Sequence, residues 1–229
     1  MSARTARELA RATITRQILD AARAHLAVDG PAALSLRAVA RDVGMVSSAV
    51  YRYFPSRDAL LTALLVECYD ELGDAVELAD ASVDRTDHAG RWLAACRAAR
   101  TWCVSHPGEF ALLYGTPVPG YVAPQDTVGP AVRVVIVLAV IAVEAAGDTG
   151  PPVSDVGALV DGATGFFVGR GWPEPAPEVV TRVLMAWAEV FGTISFELFG
   201  HLTNAVADPA AWFDAVAARL GADAGIRPV

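Results

Sequence analysis

The chain has 229 residues, of which 54% are hydrophobic, and this excludes an intrinsically disordered protein. Three widely spaced cysteines do not make a disulfide framework, and the first twenty residues carry four arginines without the apolar segment of a signal peptide. The longest uninterrupted apolar run, 134–143, is about half the ~20 residues that a membrane-spanning helix needs. We therefore expect a cytoplasmic protein that does not cross a membrane.

The net charge of −8 conceals two regions of opposite sign. Residues 1–57 contain nine arginines and four acidic residues, a net charge of +5, whereas residues 58–229 contain nine arginines and 22 acidic residues, a net charge of −13. A basic end on an acidic body indicates that one end faces a polyanion. Charge alone leaves open the alternative of a solvated, arginine-rich helix surface.

The sequence predicts an all-α protein, because 44 of its residues are alanine, the strongest helix former. Segment 131–146 has the β-branched content of a strand, but its length and helical neighbours favour a buried helix. Gly/Pro-rich or polar connections separate the helices at 80–90, 115–130, 147–152 and 169–177. The predicted helices are one ending at Asp29, two short segments up to residue 54, a long helix from about residue 56, and helices at 93–104, 107–114, 131–146, 153–169, 178–199 and 209–220.

Residues 35–54 carry the most informative pattern. Ser35 is predicted to cap a short helix, Gly44 to end that helix in a left-handed conformation, and Ser47 to cap a second one. Val50 and Phe54 are predicted to point inward. The opposite face would carry Ser47, Ser48, Tyr51 and Arg52. Two short helices around a glycine turn form a helix-turn-helix, whose second helix enters the DNA major groove, although similar pairs occur in proteins that never bind DNA.

Residues 13–65 resemble the DNA-binding head of the tetracycline-repressor (TetR) family of bacterial transcriptional regulators. The resemblance rests on the first helix ending in Asp-Gly, on residues 36–40 and 43–44, and on the run from Val50 to Leu61. Arg57 and Tyr53 stand where Lys and His are common, and both can still reach phosphate. The resemblance implies a helix-turn-helix domain at 1–57 and a helical effector-binding and dimerisation domain at 58–229.

The resemblance also implies a role for each residue of the head. Ser35 and Arg37 would meet the DNA backbone, and Tyr51, Tyr53 and Arg57 would contact phosphates. Ser47, Ser48 and Ala49 would lie at the base edges. Arg52 is the long donor of the second helix, and guanine is the base that suits it best.

Members of this family respond to small ligands bound in the C-terminal domain. Segments 106–115 and 187–192 resemble those of the Trp-His-Gly subgroup of the family, with Phe191 in place of His. Aromatic side chains of the body, Trp92 and Trp172 among them, could line an apolar pocket, and His106 and Arg133 could orient a polar end of the ligand. The candidate ligand-binding residues are Trp102, His106, Phe110, Tyr114, Arg133, Phe166 and Phe167. Aromatic residues at helical spacing are more often core, and that alternative stays open.

Three glycines in the segment 153–169 each cost a helix ~1 kcal/mol relative to alanine, so they need a packing reason. Close approach of two subunits is one such reason, because the family dimerises through the pair of helices predicted at 153–169 and 178–199. Packing within one subunit is the other. The candidate interface residues are Gly162, Gly165, Gly169, Val183, Trp187, Val190 and Ile194. A two-fold dimer implies a pseudo-palindromic operator.

These patterns lead us to expect a ligand-responsive transcriptional regulator, most often a repressor in this family. Its partners would be a double-stranded DNA operator, a largely apolar small-molecule effector and a second copy of the chain. We expect no enzyme activity, cofactor or metal: catalytic motifs are absent, and Cys96 and Cys103 lie ~10.5 Å apart along a helix, too far to share an ion. The alternative is a small-molecule binding or sequestering protein with a vestigial DNA-binding head.

Overall fold

A computed structural model describes residues 3–145, 157–169 and 174–227 of the chain. These residues form helices and connecting turns without a β-strand, and the all-α prediction is confirmed. Short 3₁₀ turns follow α1 and precede α7 and α9. The helices are α1 (Ala3–Asp29), α2 (Leu36–Asp42), α3 (Ser47–Val50), α4 (Arg57–Ala81), α5 (His88–Ser105), α6 (Pro107–Tyr114), α7 (Val128–Ala131), α8 (Arg133–Ala145), α9 (Asp161–Val168), α10 (Pro177–Leu198) and α11 (Pro209–Asp223).

Most helices agree with the predicted segments, but α7 lies at the end of the connection predicted at 115–130, and α9 begins at Asp161 instead of residue 153. The apolar segment predicted at 131–146 is the helix α8, and the segment predicted at 107–114 is α6. Helix α5 begins at His88, five residues before its predicted start, because the Asp87 carboxylate accepts a hydrogen bond from the Gly90 N–H and caps the first turn. Residues 153–156 of the predicted helix 153–169, and Trp172, lie outside the described residues.

The chain divides into two compact units, which we describe separately. Unit 1 comprises residues 1–71 and 105–131, and unit 2 comprises residues 72–104 and 132–229. Helix α4 contributes residues to both units. The functional boundary expected after residue 57 stays a prediction.

Unit 1 contains the helix-turn-helix region packed on α1 and the first half of α4. Its core includes Ile18, Val39, Val50 and Leu61, each fully buried. Ion pairs tie α1 to α4, with Arg23 2.6 Å from Glu71 and 2.7 Å from Glu67. Helix α6 packs on the end of α1, so unit 1 is built around α1.

Unit 2 is organised around α10, which packs against α8 and α11. Trp92 of α5 is buried, and its indole N–H donates a hydrogen bond of 2.8 Å to the carbonyl of Ala217. A Cβ on Gly221 would lie 2.9 Å from that indole ring, so α11 approaches α5 where it has no side chain. The indole therefore fixes both the spacing and the register of these helices.

Arg91 is a fully buried cation in unit 2. Its guanidinium donates to Asp80 through Nε (2.7 Å) and Nη2 (3.2 Å), and to Glu144 through Nη1 (2.7 Å). Although burial opposes its charged form, the hydrogen bonds to Asp80 and Glu144 leave the pKa of Arg91 above its usual value. Arg91 thereby links α4, α5 and α8.

The three cysteines are buried thiols. Desolvation raises the pKa of Cys68, Cys96 and Cys103 to about 12 in each case, so they are uncharged at neutral pH and pack as apolar residues. Within the described ranges, no group of three or more His, Cys, Asp or Glu residues is arranged to hold a metal ion.

Replacement of Arg91 by methionine is expected to lower the free energy of unfolding by ~3 kcal/mol, because two carboxylates lose their buried partner. The control is Arg219→Met, whose ion pair with Asp223 is largely exposed and should contribute less than ~1 kcal/mol. Urea denaturation followed by circular dichroism measures both variants. Equal urea midpoints for the two variants would show that the Arg91 cluster is not a stability determinant.

Candidate functional site

Helices α2 and α3 of unit 1 form the predicted helix-turn-helix. Ser35 occupies the N-cap position of α2 in an extended conformation, although its side chain makes no capping hydrogen bond. Gly44 has φ +68° and follows the last turn of α2, as predicted, and the next N–H, that of Met45, bonds back to the carbonyl of Ala40 at 2.8 Å. The cap predicted at Ser47 was wrong, because Val46 occupies that position and Ser47 is the first helical residue.

The face of α3 and its neighbours that is predicted to read DNA, here called the recognition face, is directed to solvent. Val50 and Phe54 are buried beneath it, as predicted. Above them, Ser48, Tyr51 and Arg52 are exposed. Ser47, Ala49 and Tyr53 are half-buried. The short side chains therefore lie close to the protein surface, and the long ones project from it.

Four residues predicted to meet the DNA backbone surround one open depression of about 500 Å³. They come from the start of α2, the end of the α3 region and the start of α4, and they are Ser35, Arg37, Tyr51 and Arg57. Residues 22 positions apart in the chain are thus brought to a single concave, polar surface.

Arg57 also makes contacts that the sequence did not predict. Its Nε donates to the carbonyl of Leu34 at 2.9 Å, and its Nη2 donates to those of Pro31 and Ala32 at 3.1 and 2.9 Å. These bonds hold the turn between α1 and α2 and so position the Ser35 end of α2. Internal carbonyls therefore use much of the guanidinium that was expected to bind phosphate.

Val46 is a surface residue that sequence reasoning missed. An apolar side chain between two short helices is normally assigned to the core, but Val46 is 71% exposed at the start of α3. Its location at a helix boundary, outside the apolar periodicity of α2 and α3, is the signal that could have found it.

Carboxylates neutralise many of the arginines, including Arg16 and Arg23 of unit 1. In unit 2, Arg97 pairs with Asp214 at 2.7 Å and holds the pKa of that carboxyl below its usual range, and Arg100 pairs with Glu197 at 2.5 Å. In unit 1, the exposed Arg37, Arg41 and Arg52 have no ion pair within the described part of the chain. The unneutralised positive charge of unit 1 therefore includes the recognition face.

A second candidate site is an apolar cavity of about 230 Å³ among α8, α9 and α10 of unit 2. Among the described residues, no charged side chain lines it, and the buried indole N–H of Trp187 has no hydrogen-bond partner. The lining residues are Val132, Val135, Ile136, Ala139, Gly162, Ala163, Phe166, Phe167, Val180, Val183, Leu184 and Trp187.

Of the seven predicted ligand-binding residues, only Phe166 and Phe167 are among these lining residues. Phe110 and Tyr114 form an aromatic cluster with Tyr69 inside unit 1, with ring centroids 5.7 and 6.0 Å apart in the two contacting pairs. His106 occupies the N-cap position of α6 in unit 1, and Trp102 is buried in unit 2.

Arg133 of α8 binds two carboxylates of α4, 2.5 Å from Asp74 and 2.7 Å from Glu77. Its guanidinium crosses Gly73, where a Cβ would lie only 2.6 Å from Nε. The side chain expected to orient a ligand therefore crosslinks two helices instead.

The predicted interface residues separate into two groups. Val183, Val190 and Ile194 are at most 1% exposed inside the single chain, so a partner subunit cannot contact them, and Trp187 lines the cavity. Gly162, Gly165 and Gly169 of the α9 segment are exposed. Outside the local backbone, no heavy atom of the described residues lies within 4 Å of a Cβ built on Gly162 or Gly165, so packing against this part of the chain does not explain these two glycines.

Helix α10 also has an exposed apolar face. Met185, Phe196 and Phe199 are 53–54% exposed along it, and Gly192 lies among them. Helix α10 has the length and composition of a membrane-spanning helix, with a mean hydropathy of 1.4 over an 18-residue window. Its inner face, however, packs on α8 and α11 as in the core helix of a soluble domain.

Comparison with known proteins gives two family matches. Residues 18–64 match the family described as bacterial regulatory proteins, tetR family, and residues 92–220 match the tetracyclin repressor-like C-terminal domain. The chain belongs to the TetR family of transcriptional regulators. The resemblance to the Trp-His-Gly subgroup stays a prediction.

Relatives of this TetR-family chain are regulators rather than enzymes. It is 44% identical over 213 residues to the HTH-type transcriptional regulators Rv1816 of Mycobacterium tuberculosis and Mb1846 of Mycobacterium bovis, and each match covers 90% of both chains. A crystal structure of SCO4313, described as a regulatory protein, is 32% identical, with a TM-score of 0.77 over 93% of this chain and 97% of that chain. The predicted helix-turn-helix regulator is thereby confirmed.

Proposed function

We propose that this TetR-family regulator is a ligand-responsive repressor in the cytoplasm, which binds a pseudo-palindromic DNA operator as a homodimer. Its effector would be an uncharged, largely apolar small molecule. The observation that carries the proposal is the helix-turn-helix surface, where exposed arginines without carboxylate partners surround short side chains suited to close approach. Family membership supports the repressor role.

The backbone of the operator would lie against the depression formed by Ser35, Arg37, Tyr51 and Arg57. Hydroxyl and guanidinium groups donate hydrogen bonds to phosphate oxygens and fix the register of the protein on the duplex. Base reading would fall to the residues of α3 and its neighbours: Ser47, Ser48 and Ala49 at close range, Arg52 on guanine, and the exposed Val46 on a thymine methyl. Tyr53 would add a phosphate contact.

Replacement of Tyr51 by alanine is expected to weaken operator binding at least ~10-fold, which corresponds to ~1.4 kcal/mol, without changing the melting temperature. The phenol is 45% exposed and lies over the buried Val50 layer, so its loss removes a DNA contact but leaves the core intact. Fluorescence anisotropy on the chain's promoter-proximal DNA, compared with scrambled DNA, measures the effect.

The matched control for Tyr51→Ala is Trp212→Ala, which removes an aromatic ring of similar exposure, 46%, from α11. The control should bind the operator as tightly as the unmodified chain. Unchanged operator affinity in Tyr51→Ala would contradict the proposed docking surface.

The cavity of unit 2 would hold the effector. Burying a charged group among these aliphatic and aromatic side chains would cost several kcal/mol, so the lining selects an uncharged molecule. The buried indole N–H of Trp187 has no acceptor in the part of the chain that the structure describes, and a single carbonyl, ether or hydroxyl oxygen on the ligand would accept its hydrogen bond.

The variant Ala139→Leu is expected to reduce the affinity for the uncharged fluorophore N-phenyl-1-naphthylamine about 10-fold or more, because an isobutyl group in place of the methyl group fills the cavity from α8. Titration followed by fluorescence enhancement measures this affinity. Ala218→Leu, on the exposed side of α11, is the control and should bind like the unmodified chain. Equal fluorophore affinity in all three proteins would rule out this cavity as the effector site.

A homodimer would use the exposed face of α9 and α10. A contiguous apolar surface on a soluble protein marks an interaction site, and exposed glycines let two helix backbones approach closely. In a two-fold dimer of the kind expected for the family, this face would lie against its own copy. The interface would comprise Gly162, Gly165 and Gly169 of the α9 segment with Met185, Gly192, Phe196 and Phe199.

Substitution of Gly165 by leucine is expected to weaken dimerisation without destabilising the fold, because the side chain extends into open space in the single chain and leucine favours a helix by up to ~1 kcal/mol relative to glycine. Sedimentation velocity over a range of concentrations should show dissociation at concentrations at which the unmodified chain and Ala222→Leu, an exposed α11 control, remain dimeric. A dimer of unchanged stability would remove α9 from the interface.

A further inference from the structure

The first three turns of α1 form a basic surface outside the region that matches the family. Helix α1 begins at Ala3, whereas the match to the N-terminal family domain begins at residue 18. Every side chain described from residue 5 to residue 13 is exposed, so these turns contribute nothing to the core of unit 1. Two arginines, Arg7 and Arg11, stand there against one acidic residue, Glu8. A long exposed helical segment without a packing role suggests a role in binding.

Arg11 lies against the end of the predicted recognition region. Its guanidinium carbon is 5.1 Å from the centroid of the Tyr53 ring, within the range of a cation–π interaction. Its Nη2 also donates to the backbone carbonyl of Arg52 at 3.5 Å. These contacts place the Arg11 side chain beside Arg52 and Tyr53, the residues assigned above to a base and a phosphate.

Arg7 extends the same surface by one helical turn. A separation of four residues puts it ~6 Å from Arg11 along the axis and on nearly the same face of the helix. Arg7 is exposed and has no ion pair within the described residues. Arg16, nine residues after Arg7 in α1, differs from Arg7, because Asp20 and Glu67 bind its guanidinium at 2.8 and 2.7 Å.

We propose that Arg7 and Arg11 contact DNA phosphates flanking the base pairs that the helix-turn-helix reads. The inference rests on the proposed function, since it extends the same DNA-binding surface. Guanidinium groups bind phosphate through charge-assisted hydrogen bonds, and such contacts add affinity that does not depend on base sequence. The operator footprint therefore extends past the end of the α3 region, along the backbone that faces α1.

The test measures anisotropy binding constants of Arg7→Ala and Arg11→Ala over a series of salt concentrations. Each variant is expected to reduce the slope of log affinity against log salt by about 1, because each arginine neutralises about one phosphate. The ratio of operator affinity to scrambled-DNA affinity should not change. Removal of the flanking base pairs from the duplex should weaken DNA binding by the unmodified chain. It should not change DNA binding by a variant that carries both Arg7→Ala and Arg11→Ala.

Two controls separate a phosphate contact from a structural role. Arg11→Lys keeps the charge and should restore most of the salt slope, whereas Arg219→Ala, which removes an exposed arginine of α11, should leave the slope unchanged. Melting temperatures of all variants should match that of the unmodified chain.

Three results would overturn the inference: unchanged slopes in both alanine variants, a loss of operator preference in Arg11→Ala that Arg11→Lys does not restore, or insensitivity of the unmodified chain to trimming. Failure of the proposed function is distinguishable, because the unmodified chain would then not prefer the operator over scrambled DNA. The salt slopes on scrambled DNA would still decide whether the two arginines meet phosphates.

Discussion

The crossing of α6 over the end of α1 is the contact on which unit 1 depends. A Cβ on Gly108 would lie 2.8 Å from the Ala27 backbone, so the backbones of the two helices are in direct contact at this point. Helix α1 is a single helix of 27 residues. Its middle packs in the core of the helix-turn-helix region, and Arg11 near its start contacts Tyr53. A displacement of α6 must therefore move α1 or lose this packing. Within unit 1, α1 is the element that links α6 to the proposed DNA-binding surface.

Helix α10 serves two apolar environments at once. Val183, Val190 and Ile194 complete the core of unit 2, while Met185, Phe196 and Phe199 remain exposed on the other side. Apolar residues on both faces explain the high mean hydropathy of this helix, and no membrane is needed to explain it. Trp187 and Gly162 border the cavity from α10 and α9, the two helices that carry the proposed dimer face. Occupation of the cavity and contact between subunits would therefore act on the same pair of helices.

The sequence alone predicts most of the helices and the buried and exposed faces of α3, because local spacing and a glycine turn determine these features. It failed where tertiary contacts decide. Aromatic type alone could not show that Tyr114 packs against both Phe110 and Tyr69 while aliphatic residues of α8 line the cavity. Periodicity could not separate the two faces of α10, since both are apolar. Arg57 is suited equally to a phosphate and to backbone carbonyls, and only the folded turn between α1 and α2 shows its internal hydrogen bonds.

Arginines paired with carboxylates and unpaired arginines are distributed unevenly along the chain. Carboxylates neutralise Arg91, Arg97, Arg100 and Arg133 in the acidic body, so these residues add little to the field that reaches DNA. The remaining net charge of residues 58–229 is strongly negative, and it repels a phosphate backbone over the ~8 Å that physiological salt permits. Arg7, Arg37, Arg41 and Arg52 are exposed without such partners among the described residues of unit 1. We expect this unpaired positive charge of unit 1 to attract a phosphate backbone and so to raise the rate of association with DNA.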